Sequence, residues 1–501
     1  MAAPASRRAD DRHDATGFTL TRPSGARQAE RGLLGLFVVS LFWLPLPLGS
    51  NRPWAIALFT AMVWLLLALT GLLRLARPAQ PSAPSRSTGW GSHLVLALLV
   101  AFTAWCGLQL TPWGYTEDPH ETRMYVLRCI GYLGAFWLVQ LLVTSDRRRM
   151  VVLGGMLGAG VVQALVAMVL FSAASRYELM GFEFRQGIRA TGTFTGPDAL
   201  ASYLLIALSA GLAVMLAQMG QGRDAPAHNW QGRARSALEF MMSTKMLVRI
   251  MLILMVIALV LTRSRMGNGT FFLSLFLMGA WVMWRSQRLR RPAAILVVSL
   301  LVIDIIIIGQ WVGLSKVIDR MQATELALQQ EEAASAVAAA SSDALMAPRH
   351  AVRREESLHE RTRPVRDALA MIEERPWSGF GGGTFYTAFP RYKQESLGLP
   401  YNHAHNDYIE IATDTGLPGL ALLGLVMLLS LGRAIQLMND RHGPHVRGVA
   451  AGVGMGLICA LLHASVDLNL QINANAMALT VLLAVVWTVP RGQSVPESRR
   501  R

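Results

Sequence analysis

Charge is scarce in this chain. Only 16% of its residues are Asp, Glu, Lys or Arg, against roughly 25% in an ordinary soluble domain. Cysteine is scarcer still. Cys106, Cys129 and Cys459 all fall in apolar stretches, with neither metal-ligand spacing nor a pairing framework. They read as small buried apolar residues, which excludes a disulfide-stapled fold. HExxH is absent. The glycines at 379 and 381–383 follow no strand and precede no Lys-Ser/Thr, so they read as a flexible turn rather than a nucleotide loop. A cleavable leader is not expected either. Residues 1–31 are polar and Arg-rich, and no small-x-small site follows Leu48.

What the chain has is apolar length. Some 52% of its residues are hydrophobic and the mean hydropathy is +0.36. Many windows of roughly 17–25 residues are almost free of charge, each long enough to cross about 30 Å of hydrocarbon as a helix. The fold expected is all-α and integral to a membrane, with about 12 transmembrane helices. The spans are 32–49, 53–74, 92–111, 124–143, 150–172, 196–218, 246–262, 267–284, 292–313, 416–432, 446–466 and 472–489. Pro45 and Pro47 make the first one kinked or short.

The net charge of +15 does not read as nucleic-acid binding, because the arginines sit in short loops between apolar blocks. Loops expected inside carry clusters such as Arg147–Arg149 and Arg285, Arg288, Arg290 and Arg291. Short loops expected outside carry few. This alternation puts both termini in the cytoplasm and makes the helix number even. The organisation follows: tail 1–31, helices one to nine over 32–313, a long outside segment 314–415, helices ten to twelve over 416–489, and tail 490–501. Within 314–415, Lys316–Ala347 is Ala- and Glu-rich and reads as a helix. Glu355–Glu374 reads as a second, with Leu358, Val365, Leu369 and Ile372 as its apolar stripe and Pro364 as a kink. The segment is therefore expected to form a helical cap in the last large outside loop.

Chemistry concentrates at 401–419, YNHAHNDYIEIATDTGLPG. His403, His405, Asn406, Asp407 and Glu410 crowd in front of a spanning helix, and His suits proton transfer near neutrality. A zinc site on His403, His405 and a carboxylate is an alternative, although H-x-H spacing fits a strand better than a helix face. Arg189, Arg263 and Arg265 break the inside bias for arginine, and Arg361, Arg363 and Arg366 lie on the helix leading to the His loop. All share one side of the membrane with His405. A pyrophosphate needs a fork of such donors; the plainer reading is that each snorkels to headgroups. Asp304, alone in an apolar run, reads as a helix–helix hydrogen bonder.

His405-Asn406, followed after nine residues by Gly416-x-x-Gly419, resembles the signature of the O-antigen ligase and polymerase superfamily of polytopic membrane glycosyltransferases. RPWSGFGGGTFYTAFPRY (375–392), RATGTFTGPDALASYL (189–204), LTRSRMGN (261–268) and HASVDLNLQINANA (463–476) resemble further motifs of that family. The resemblance spans residues 185–480. It departs at Gly196-Pro197-Asp198, where the family has Asn-Pro-Asn, and at Ser264-Arg265-Met266-Gly267, where it has Ser-Arg-Gly.

The resemblance implies a metal-independent, cofactor-free inverting glycosyltransferase of a bacterial inner membrane, with its site facing the periplasm. The donor would be a glycan on undecaprenyl pyrophosphate and the acceptor a hydroxyl of lipid A-core. A second carrier-linked glycan as acceptor would make it a polymerase of O-antigen or exopolysaccharide, and a Ser or Thr acceptor a protein oligosaccharyltransferase. A transporter is the alternative of another class, although no internal repeat supports it. His405, Arg265 and Arg189 are the expected catalytic residues. Arg361, Arg263, His403, Asn406 and Tyr408 are the expected substrate contacts.

Overall fold

The computed structural model describes residues 24–76, 89–173, 176–179, 182–185, 189–219, 243–285, 298, 358–393, 402–439 and 442–490. The expected span at 292–313, apart from Val298, and the helix at 316–347 lie outside these residues.

The described chain is helical almost throughout. Seven helices precede the first motif arginine pair or flank it: α1 Ser24–Trp43, α2 Pro53–Leu75, α3 Trp90–Leu108, α4 Pro119–Leu142, α5 Asp146–Ser172, α6 Pro197–Met219 and α7 Thr244–Leu261. After them come α8 Arg265–Arg285, α9 Leu358–Glu374, the short α10 Phe385–Ala388, α11 Asp407–Asn439, α12 Pro444–Ala464 and α13 Asn473–Trp487. The exception is one antiparallel hairpin, β1 Arg176–Leu179 with β2 Phe182–Arg185, between α5 and α6. Among the described residues, eight helices are long and apolar enough to cross a membrane: α2 to α7, α11 and α12. Leu58, Leu65 and Leu72, seven residues apart on α2, are all exposed, as a lipid-facing stripe should be. The protein is thus a multi-pass membrane protein.

Local chemistry sets the helix ends. Asp118 accepts from the amides of His120 and Glu121 with Pro119 at the first helical position, and so starts α4. Ser145 and Ser243 cap α5 and α7 in the same way. The first helix begins at Ser24 and ends at Trp43, short of the expected Gly49, because the chain turns at Pro45 and Pro47.

The core of the bundle is α6, buried along its whole span, with α12 against it. Gly448, Gly452 and Gly456 form a small-residue face on α12. A Cβ on Gly448 would lie 2.4 Å from the Ala217 amide nitrogen, and one on Gly452 would lie 2.4 Å from the Ala213 Cα. Without side chains there, the two backbones approach closely and gain dispersion contacts that lipid tails cannot match. α13 is buried on every side, which explains how a 15-residue helix can sit between α4, α6 and α12.

Side-chain bonds identify the two ends of the bundle. Arg148 with Glu30 (2.8 Å) and Arg433 with the Val489 carbonyl (2.9 Å) mark the arginine-rich end. At the other end, Thr193 donates to the Pro45 carbonyl (2.7 Å), Arg189 to the Thr262 carbonyl (2.9 Å) and Asn406 to the Ser465 carbonyl (2.9 Å). There α9 and the segment after it build a second small core of Ala368, Met371, Phe380, Phe385, Ala388, Phe389 and Ala404. The expected helix at 355–374 is present as α9, with Pro364 inside it.

Candidate functional site

The glycine turn is where the structure first departs from expectation. It is no free loop. The Phe380 amide donates to the Thr413 carbonyl (2.8 Å), Gly381 to the Asp414 carbonyl (2.9 Å) and Gly383 to the Asp414 carboxylate (2.8 Å). Gln109 of the α3–α4 connection donates to the Ser378 and Asp414 carbonyls and accepts from Gly382. Gly379, at φ +65°, comes so close to α11 that a Cβ would stand 2.4 Å from the Asp414 oxygen. The turn is thereby clamped to α11.

That clamp explains why α11 starts at Asp407 and not at 416. Asp407, Glu410, Thr413, Asp414 and Thr415 look like loop residues, yet all are buried. Each has a partner: Gly383 of the clamped turn meets Asp414, the Asn469 and Leu470 amides meet Asp407, His403 and the Ala404 amide meet Glu410, and Thr413 and Thr415 donate to the Glu410 and Ile411 carbonyls, while Asp407 Oδ1 and Asp414 Oδ1 have none among the described residues. Burial of polar groups costs little once they are paired. Gly416 then breaks the helix at φ +71°, and Trp105 donates to the freed Thr415 carbonyl (2.8 Å).

Asn406 sits just ahead of this helix. Its Oδ1 accepts from the Tyr408 and Ile409 amides (3.0 and 3.2 Å), while Nδ2 donates to Ser465. These are the bonds of an N-cap. Both ends of the Asn406 amide, an expected substrate contact, are engaged within the protein, so it positions the loop. Tyr408 is likewise engaged, its hydroxyl donating to the Leu461 carbonyl (2.7 Å). Both residues tie α11 to α12.

Glu410, buried one turn in, fixes the histidine loop. One carboxylate oxygen lies 2.7 Å from His403 Nδ1 and the other accepts from the Ala404 amide (3.0 Å). Burial opposes a charge on His403, and Arg128 does too. The ion pair and hydrogen bond with Glu410, helped by Asp467, outweigh them and raise the His403 pKa above its ordinary value.

His405 is held differently. Its φ is +51°, a left-handed conformation that costs a non-glycine residue free energy and persists where surrounding contacts impose it. Its Nδ1 is buried and points at the Asp467 carboxylate, 3.6 Å away, with Asp467 only 2% exposed on its side chain. Within the 463–476 motif nothing local marks this carboxylate, whose partner His405 lies 62 positions earlier. Asp467 lies in the α12–α13 turn, whose Asn469 and Leu470 amides donate to Asp407 (2.8 and 3.0 Å). With Nδ1 turned inward, Nε2 is the nitrogen left to face a substrate.

The same turn leads to Arg189. Asn469 and His463 Nδ1 are 2.7 Å apart, Ser202 bonds both of them, and Ser202 also donates to the Asp198 carbonyl (3.0 Å). Arg189 Nη2 pairs with Asp198 Oδ1 at 2.7 Å and Nε holds the Thr262 carbonyl. A hydrogen-bonded path thus runs from the His405 loop to Arg189. The side chain of Asp198 stands where the family motif has asparagine, so the pairing of Arg189 falls on a motif position.

Ser264 caps α8 through the Gly267 amide (3.1 Å), which seats the exposed Arg265 at the start of that helix. Arg263, φ +51°, is exposed in the preceding turn. Arg366 is exposed on α9. Arg361 and Arg363 lie on α9, but their side chains fall outside the described residues. No three His, Cys, Asp or Glu side chains among the described residues are grouped as a metal site would require. The H-x-H pair occupies a loop and not a strand, each histidine facing its own carboxylate.

No curated protein matches the chain. Residues 250–424, which carry Arg265, the clamped glycine turn, His405, Gly416 and Gly419, match the family model described as O-Antigen ligase.

Proposed function

We propose that the protein is an O-antigen ligase-type glycosyltransferase, moving a glycan from undecaprenyl pyrophosphate to a hydroxyl of lipid A-core on the outer face of a bacterial inner membrane. The observation that carries this reading is His405, strained at φ +51° with Nδ1 facing a buried carboxylate, in a domain matched to that family. An imidazole so oriented can accept a proton at Nε2, and the nearby carboxylate stabilises the imidazolium that results.

The reaction is a single displacement. The acceptor hydroxyl oxygen bonds to the anomeric carbon while its proton passes to His405 Nε2. The anomeric carbon–oxygen bond to the carrier breaks, and its electron pair leaves with undecaprenyl pyrophosphate. The anomeric centre inverts. Arg265 and Arg189 would stabilise the charge developing on the leaving pyrophosphate. Arg189 is already oriented by Asp198 and Thr262, so little reordering is required. The leaving group is good enough that the step requires no further activation by a cofactor.

The test is the glycan profile of a strain lacking this chain. Loss of polymer from lipopolysaccharide, with carrier-linked polymer retained, supports the ligase. A single repeat on an otherwise normal core would replace it by the polymerase. Unchanged lipopolysaccharide with unglycosylated protein would replace it by a protein oligosaccharyltransferase.

A further inference from the structure

Arginines buried or half-buried in the bundle are mostly answered by partners within the protein. Arg148 has Glu30, Arg149 has Asp146, and Arg433 has Gln436 and the Val489 carbonyl. Arg128, in the middle of α4, is not. Its one hydrogen bond runs from Nη1 to the Gln471 carbonyl at 3.2 Å, the long end of the usual range. Its Nε is buried with no acceptor. Its guanidinium carbon lies 6.0 Å from the Tyr125 ring centroid, at the limit of a cation–π contact. Among the described residues no carboxylate lies within ion-pair distance of it. An arginine inside a spanning helix is costly unless paired, and one left under-satisfied points to a ligand.

Its place gives the ligand's surroundings. The turn that Arg128 touches at Gln471 is the one that carries Asp467, opposite His405, and Asn469, which leads through Ser202 to Arg189. The next residues continue the division. Asn473 accepts from Tyr132 of α4 (2.9 Å), and Asn475 donates to Ala199 of α6 (3.1 Å). The turn therefore separates an α4 flank from an α6 flank, with His405 above it. Arg189 stands on the α6 flank. Arg128 stands on the other, close enough to His403 to oppose its protonation. With Nδ1 donating to Glu410, His403 has Nε2 left outward, a donor when the imidazole is protonated.

We infer that Arg128, with His403 as a second donor, forms an anion site on the α4 flank of His405 that binds the phosphate of a membrane-anchored lipid. The inference rests on the glycosyltransferase reading for its relevance to transfer, but on the orphaned guanidinium for its existence. A phosphate oxygen would meet the accessible part of the guanidinium, whose charge no carboxylate among the described residues answers, the kind of anion for which arginine is suited. That phosphate could belong to a lipid pyrophosphate or to an ordinary phospholipid headgroup.

The experiment titrates farnesyl pyrophosphate into the full detergent-purified chain and its variants, with phosphatidylglycerol or phosphatidylcholine as competitor. R128Q is expected to bind farnesyl pyrophosphate about tenfold more weakly, the loss of roughly one charge-assisted hydrogen bond. R128K, which keeps charge without the fork, should fall between it and the wild type. H403Q should weaken binding by a smaller factor. Competition by phosphatidylglycerol but not phosphatidylcholine, abolished in R128Q, would assign the site to a headgroup; its absence would assign it to the pyrophosphate lipid. A thermal melt checks that each variant is folded, and R128K decides if R128Q is not. Binding by both Arg128 variants equal to wild type overturns the inference and leaves the glycosyltransferase reading standing. Failure of the wild type to bind farnesyl pyrophosphate at all overturns both.

Discussion

Gly416 and Trp377 meet so closely that a Cβ on the glycine would stand 2.3 Å from the Trp377 carbonyl oxygen. The contact joins the break in α11 to the segment that carries the glycine turn, and the Leu417 amide seals it by donating to the Pro376 carbonyl (2.8 Å). Gly416→Ala should therefore act twice, through its φ of +71° and through the clash. We expect a loss of about 2 kcal/mol or more in stability and a larger fractional loss of transfer, because the His405 loop is anchored to the same helix. A melt and an activity assay on one preparation check this. An unchanged melting temperature would show that the clamp is dispensable.

Much of this architecture was legible in the sequence, and the exceptions share a cause. Spanning segments announce themselves because lipid demands long apolar windows. The start of α11 did not, since DYIEIATDT is polar in composition and becomes buried only when the amides of Gly383, Ala404, Asn469 and Leu470 answer its carboxylates. Asp467 and Arg128 were passed over for the same reason. Their meaning lies in partners 62 and 343 positions away, counted from His405 to Asp467 and from Arg128 to Gln471, and no local periodicity encodes such pairings. The motif position of Asn406 is visible in the sequence, while its work as a helix cap shows only in the fold.

The raised pKa of His403 makes a stability prediction. A histidine whose folded pKa exceeds its ordinary 6.5 stabilises the fold fully below that value and loses the contribution as pH rises through the folded pKa. The His403–Glu410 pair should thus hold the loop best in mild acid and loosen above it. The protection of the Ala404 amide from hydrogen exchange, corrected for the base catalysis of exchange itself and followed from below 6.5 upward, should fall in the wild type. His403→Gln should remove that trend. The same trend in both proteins would assign it to other groups.

Three helices, α11, α12 and α13, separate Lys393 from Pro490. The contacts of Asn406 with Ser465 and of Asp407 with Asn469 bring the start of α11 and the end of α12 to one side, and α13 then leads away from it. Reporter fusions after Lys393 and after Pro490 should accordingly report opposite faces of the membrane, with Pro490 on the cytoplasmic face by the arginine bias. The same face for both would refute the topology and the outward-facing site with it.

Arg265→Lys should be poorly tolerated, by about tenfold or more in turnover, since an ammonium retains charge but not the planar fork. Asp198→Ala should harm less. It frees Arg189 Nη2 while the Nε bond to Thr262 stays, so the guanidinium is loosened but not removed. Steady-state transfer with purified variants ranks them, and Arg265→Lys at wild-type rate would remove that residue from the clamp.

The decisive comparison is between the two histidines. His405 has its inner nitrogen toward Asp467 and its backbone forced to φ +51°, whereas His403 has its inner nitrogen bound to Glu410 as part of the loop's support. If His405 is the base, His405→Ala lowers turnover by about 10²–10⁴-fold, and donor binding survives because the arginines are untouched. His403→Ala costs far less in turnover. Asp467→Asn should lower kcat by about tenfold or more with KM little changed, as expected of a group that acts through the base and not on the substrate. Asp467→Glu should restore part of the loss, which a packing role alone would not predict. All four are assayed with carrier-linked glycan and with EDTA present. Full activity of His405→Ala would end the general-base mechanism. Abolition by EDTA with rescue by zinc would make the histidines ligands, and the proton-transfer scheme would then give way to a metal-bound one.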